Sequence, residues 1–151
     1  MVNNGSLILN YTGHGNYTRL AEEAVITQNE IMQWDNAGKL PLMITASCDF
    51  APFDQPKIAP IGFDALVKNE KGIIGLVAAS RLVFAFNNKE INDEFVQQLL
   101  VPDKSGNYKS IGAALQNAKS NYWKKGSYYI NAFKFNLMGD PALQLAKPSY
   151  G

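Results

Sequence analysis

Three short runs in this chain, Ser6 to Tyr11, Leu42 to Ala46 and Ile73 to Ala78, carry their apolar residues consecutively instead of in alternation. A strand with one wet face alternates, whereas a strand covered on both faces does not. Strands of the second kind belong to parallel sheets with helices packed on either side. Pro41 and Gly72 punctuate the approach to the second and third runs, and Ala132 to Leu137, ending at Met138-Gly139-Asp140-Pro141, is a fourth strand candidate. Helical patterns lie between them. Thr27 with Glu30 three residues later reads as a capping box leading into Ile31, Met32 and Trp34. Asn88 is placed to cap a helix with Ile91, Phe95 and Leu99 at every fourth position, stopped by Pro102. Ser110 opens an amphipathic helix with Ile111, Ala114, Leu115, Ala118 and Tyr122 on one face, ended by Gly126. Alternating strands and helices imply βαβ crossovers and an α/β fold: a three-layer α/β/α sandwich with a mostly parallel sheet, expected to be incomplete in its strands. The stretch from Pro52 to Pro60 reads as a long loop, and the aromatic group of Trp123, Tyr128, Tyr129, Phe133 and Phe135 as packing between layers.

The only histidine and the only cysteine both follow predicted strands, in Tyr11-Thr12-Gly13-His14-Gly15 and Thr45-Ala46-Ser47-Cys48-Asp49. Parallel strands would deliver both loops to the carboxyl edge of the sheet, where ligands and catalytic groups of open α/β sheets collect. There an imidazole could take the proton of a thiol and return it to a leaving amine, the minimal apparatus of a cysteine peptidase. A cysteine after a core strand ordinarily packs as a small hydrophobe. The glycines on both sides of His14 weigh against that reading, because they let a substrate backbone approach. The N–H groups of Gly15 and Cys48 are the candidate donors to the oxyanion of a tetrahedral intermediate.

Composition bounds the alternatives. At 151 residues and 46% hydrophobic content, the chain supports one domain with a substantial core. Fourteen basic and thirteen acidic residues are interspersed along it, which argues against nucleic acid or an anionic membrane as partner. No apolar run approaches the roughly 20 residues of a membrane-spanning helix. One cysteine and one histidine leave no disulfide framework and too few soft ligands for structural zinc. Phosphate-binding glycine motifs and a Gly-x-Ser-x-Gly elbow are missing. Asp49, Asp54 and Asp64 lack EF-hand spacing and read as turn or cap residues, as does Asp140 before Pro141. The reading therefore calls for no cofactor and no metal.

Together these motifs resemble the gingipain-type cysteine peptidases of the caspase-like clan. Asn10-Tyr11-Thr12-Gly13-His14-Gly15 is similar to the family's histidine motif, Thr45-Ala46-Ser47-Cys48 to its nucleophile strand, and Gly139-Asp140-Pro141-Ala142-Leu143-Gln144-Leu145 to the segment closing its catalytic domain. Ser47 to Phe50, Phe53 to Pro56 and Ser80-Arg81-Leu82-Val83 look most like the signal peptidase/sortase branch of type IX secretion, found in Bacteroidetes-type bacteria. Cys48 is followed by Asp49-Phe50, not by the glycine pattern of caspases proper. The resemblance implies a caspase-like fold, with His14 as general base and acid and Cys48 as nucleophile. It also implies that residues 1–151 form the second half of a catalytic domain whose upstream half is a partner within the same parent protein. Ser80, Arg81 and Leu82 would form one wall of a pocket for a protein or peptide substrate, and a homodimer through an exposed sheet edge is a further expectation. Met1 is followed by Val2-Asn3-Asn4-Gly5 without signal-peptide features, which suits either a cytosolic chain or one cut from a longer exported protein; the resemblance implies the second, in the periplasm or at the outer-membrane surface. The competing reading is a noncatalytic binding or assembly module that keeps the sheet and the Cys/His pair.

Overall fold

The computed structural model describes residues 2–126 and 129–147. In chain order its elements are β1 (Ile8–Thr12), β2 (Gly15–Asn16), β3 (Arg19–Leu20), β4 (Ile26–Thr27), α1 (Gln28–Met32), β5 (Leu42–Ala46), α2 (Ile61–Val67), β6 (Gly75–Ala79), α3 (Ala85–Leu100), α4 (Ile111–Lys124), α5 (Tyr129–Lys134) and β7 (Phe135–Gly139). The main sheet has the order β1-β5-β6-β7. Its first three strands are parallel, and β7 returns antiparallel to β6. Every residue of β5 and β6 is buried, which is why their sequences are apolar on both faces with Thr45 as the one polar side chain.

Side chains alternate between two cores. Leu42, Ile44, Ala46, Val77 and Ala79 face α3 and α4, meeting Ile91, Phe95, Leu99, Ile111, Ala114 and Leu115. Met43, Leu76 and Ala78 face the other way, onto Ile31, Trp34, Phe50, Ile61 and Ala65. The result is the three-layer α/β/α sandwich with a mostly parallel sheet expected from the alternation of strand and helix.

Several boundaries differ from the sequence reading. The third strand starts at Gly75 rather than Ile73. The fourth lies at Phe135–Gly139 because residues from Tyr129 to Lys134 form α5 first. The Thr27 cap holds, with its N–H donating to the Glu30 carboxylate at 2.9 Å, but α1 stops at Met32 and leaves Met32 exposed. Ser110 caps α4 through Ala113 N–H, and the expected face of that helix is buried. Asn88 is not a cap: α3 begins at Ala85, with Phe84 as N-cap, and Asn88 is buried inside the first turn. The aromatic group does not pack as a block between layers. Phe135 is buried, whereas Trp123 and Phe133 meet edge to face near the surface at 54% and 62% exposure. Tyr128 and the side chain of Tyr129 lie outside the described residues. The loop from Pro52 to Pro60 is irregular as expected, but it leads into α2, which the sequence reading did not anticipate. A second small sheet, β2-β3-β4, was not anticipated either. No helix among the described residues is long and apolar enough to cross a membrane.

Candidate active site

β1 and β5 are adjacent, parallel and in register through Thr12↔Ala46. His14 and Cys48 each stand two residues beyond that last pair, so both leave the sheet at the same edge and the same height. Gly13 N–H donates to Ala46 C=O at 3.4 Å, carrying the ladder one step past the strands. The loops then touch. A Cβ placed on Gly15 would lie 3.0 Å from both Cβ and Oγ of Ser47, the residue before Cys48. Gly15 is thus a close-approach glycine, and its φ lies outside the left-handed region. Gly13 has a related role, since a Cβ there would meet the Tyr11 hydroxyl at 2.7 Å.

The His14 backbone is tied down while its side chain is exposed. Its carbonyl accepts from Tyr11 Oη at 2.8 Å and from Ala21 N–H at 2.9 Å. Burial is the main influence pushing the Tyr11 phenol up from its ordinary value; the Ala21 N–H pulls it down and the Glu23 charge adds to the rise. The β2–β3 hairpin folds back over the loop, and two small clefts of about 210 and 290 Å³ flank the imidazole. Glu22 and Ala21 line both clefts, Arg19 lines one and Glu23 the other, while Cys48 lines neither.

Cys48 is half-buried and free. Its thiol donates to Val83 C=O at 3.5 Å. Asp49, next in the chain, adopts a left-handed φ of 44°, which turns the loop sharply away from β5. Its N–H donates to Arg81 C=O and Ala51 N–H to Ala79 C=O, lacing the cysteine loop to the segment after β6. That segment contains the three residues expected to line a pocket. Ser80 is largely buried, its Oγ donating to Lys134 C=O and accepting from Asn136. Arg81 forms a bidentate pair with Asp54, which holds the Asp54 carboxyl below its ordinary value. Leu82 is 70% exposed, as are Phe84 and Phe86 at 60% and 74%. Leu82 is therefore the expected pocket residue that presents its side chain to solvent. Of the aspartates expected to act as turn or cap residues, Asp49 turns its loop and Asp140 accepts from Ala142 N–H, whereas Asp54 and Asp64 instead bind distant side chains, Arg81 and Gln28. Among the described residues no group of three or more His, Cys, Asp and Glu side chains is arranged to hold a metal ion.

Two buried amides escaped the sequence reading. Asn88 Nδ2 donates to Ala46 C=O at 3.4 Å, and Asn131 Nδ2 donates to Asn88 Oδ1 at 3.1 Å. Asn131 interrupts the apolar run Ile130 to Phe133, and a polar residue in such a run is the available signal, since buried amides are held by hydrogen bonds.

Comparison with known proteins places this geometry. The chain superimposes on the crystal structure of the Arg-specific cysteine proteinase gingipain R (RgpB) with a TM-score of 0.81 at 19% identity, over 95% of this chain and 34% of that one. The complex of Porphyromonas gingivalis RgpB pro- and mature domains gives 0.80 at 20% identity, over 95% and 35%. A third structure, described only as a protease, gives 0.73 at 16% identity, over 95% and 36%. The chain thus spans about a third of the length of the structures it matches. No curated protein sequence matches it. The family model of peptidase family C25 covers residues 1–146, and the chain belongs to that family.

Proposed function

We propose that this chain carries the nucleophile and the base of a cysteine peptidase. His14 takes the proton of the Cys48 thiol, and the thiolate attacks the scissile carbonyl carbon. The N–H groups of Gly15 and Cys48 receive the oxyanion. Collapse of the tetrahedral intermediate expels the amine, protonated by His14, and leaves a thioester that water or an acceptor amine resolves. The observation that carries this reading is the shared register of β1 and β5, from which His14 and Cys48 depart at equal offsets. Membership in peptidase family C25 supports it independently.

Residues 1–151 then represent the second half of a catalytic domain, consistent with covering about a third of the matched structures. Ser80, Arg81 and Leu82 form one wall for a peptide substrate, with the first two fixing the loop through Lys134 and Asp54 and the third offering apolar surface. The parent protein is read as an exported enzyme at the outer-membrane surface that removes C-terminal sorting domains from type IX cargo. In that parent, Cys48→Ala abolishes cargo processing without unfolding the domain, and His14→Ala reduces it by several orders of magnitude. Undiminished processing by a folded Cys48→Ala protein overturns the nucleophile assignment.

A further inference from the structure

The Cys48 thiol does not rest in isolation against Val83. Val83 C=O and Phe84 N–H belong to one peptide group, and that N–H donates to Asn131 Oδ1 at 3.3 Å. From there the bonds continue head to tail: Asn131 Nδ2 to Asn88 Oδ1, and Asn88 Nδ2 to Ala46 C=O. The relay ends two residues before Cys48, on the same carbonyl that accepts Gly13 N–H from the His14 loop. Asn88 N–H also donates to Phe84 C=O at 2.9 Å, so α3 grips the peptide that follows. Both amide side chains are buried, Asn88 at 3% and Asn131 at 1% exposure.

We propose that Asn88 and Asn131 are positioning residues for Cys48, acting through the Val83–Phe84 peptide to hold the thiol against Val83 C=O until substrate or His14 draws it away. The proposal rests on the Cys/His reading above and adds a resting state to it. Hydrogen bonds aligned donor to acceptor polarise one another, so the amide that binds Phe84 N–H strengthens Val83 C=O as an acceptor. The relay therefore keeps Val83 C=O on the thiol while tying the His14 and Cys48 loops together at Ala46. The charged and titratable groups on the segments around Cys48 are His14 on the β1 loop, Asp49 beside it, the Arg81–Asp54 pair, and Lys134, whose ammonium is anchored on Leu82 C=O.

The test uses Cys48 as the only thiol in the chain. Its alkylation rate by iodoacetamide is followed against pH in the parent sequence, in Asn131→Ala, in the milder Asn131→Ser and in Asn88→Ala, with circular dichroism as the check on folding. Breaking the relay is expected to raise the alkylation rate roughly threefold, because the thiol is no longer held against Val83 C=O. Asn92→Ala is the control, because Asn92 is buried on the same helix at 8% exposure and outside the relay. Its amide oxygen has no hydrogen-bond partner among the described residues, and its removal should leave the alkylation rate in place. Folded Asn131 and Asn88 variants with an unchanged rate, or a gain of equal size in Asn92→Ala, overturn the proposal. The His14→Ala background separates this result from the fate of the dyad. If His14→Ala alone leaves the profile unmoved, the dyad reading fails, whereas the relay is still judged by the asparagine variants.

Discussion

Adding one methyl group at Gly15 tests whether the His14 and Cys48 loops are packed against each other as tightly as the structure places them. The new Cβ would lie 3.0 Å from Leu20 Cδ2 and 3.0 Å from both Cβ and Oγ of Ser47. Favourable carbon contacts begin at about 3.5 Å, so each approach is short by roughly half an ångström. The opposing side chains, Leu20 and Ser47, are both fully buried, which leaves neither an easy retreat into solvent. Overpacking of this kind costs about 1–3 kcal/mol. For a domain near this size each kcal/mol lowers the thermal midpoint by roughly 2–4 °C, so Gly15→Ala should melt roughly 2–12 °C below the parent. The strain is relieved most directly by moving Ser47, which shifts Cys48 and should depress turnover in the parent enzyme by up to about a hundredfold. Ser47→Gly removes two of the three opposing atoms, so the double variant should be less destabilised than the sum of the two single variants. Thermal melts of all four proteins complete the cycle. An unchanged midpoint in Gly15→Ala, or strict additivity across the cycle, would refute the contact argument.

Two further outcomes follow from charge and buried polarity. Glu94 is nearly buried between α3 and α4, where Lys125 and then Asn121 donate to its carboxylate and hold it below the ordinary value of 4.5. A depressed carboxylate contributes stability that is present above the unfolded-state value and lost as pH falls through the folded one, so Glu94→Gln should cost about 1–2 kcal/mol near neutrality. In urea titrations the gap from the parent should close below pH 4.5, and a gap independent of pH contradicts the ion-pair account. Asn36, 1% exposed, donates to Gly72 C=O at 2.8 Å and accepts Gly72 N–H at 2.9 Å. Asn36→Ala strands that peptide and should cost roughly 2 kcal/mol in the same assay, whereas a loss below half of that would show that water replaces the amide.

The sequence carried the sheet because β5 and β6 are buried on both faces and are apolar at every position but Thr45, and it carried the face of α4 because five of its side chains enter one core. Other parts left no periodic trace. The strands of the β2-β3-β4 sheet are two residues long, too short for any alternation to register. The fourth strand was read too early because Ala132 and Phe133, which belong to α5, are as apolar as a strand. Asn88 was read as a cap because asparagine favours helix ends. Here the helix starts three residues earlier and commits the amide to Ala46 and Asn131 instead.

The same contrast explains what could be foreseen of the site. The convergence of His14 and Cys48 needs only that their strands be parallel neighbours and their offsets equal, and both conditions are written locally in the chain. What the thiol touches depends on contacts across 35 residues to Val83 and, through Phe84, on a further 47 residues to Asn131, and no local pattern encodes such pairings. The place of Cys48 can therefore be read from the strand that carries it, while what its thiol rests against is set by loops that arrive from other crossovers of the sheet. If the relay positions Cys48, substitution of Asn131 on α5 should alter thiol reactivity more than substitution of the buried Asn92 on α3. That ordering would be invisible to any reading confined to the cysteine and its neighbours.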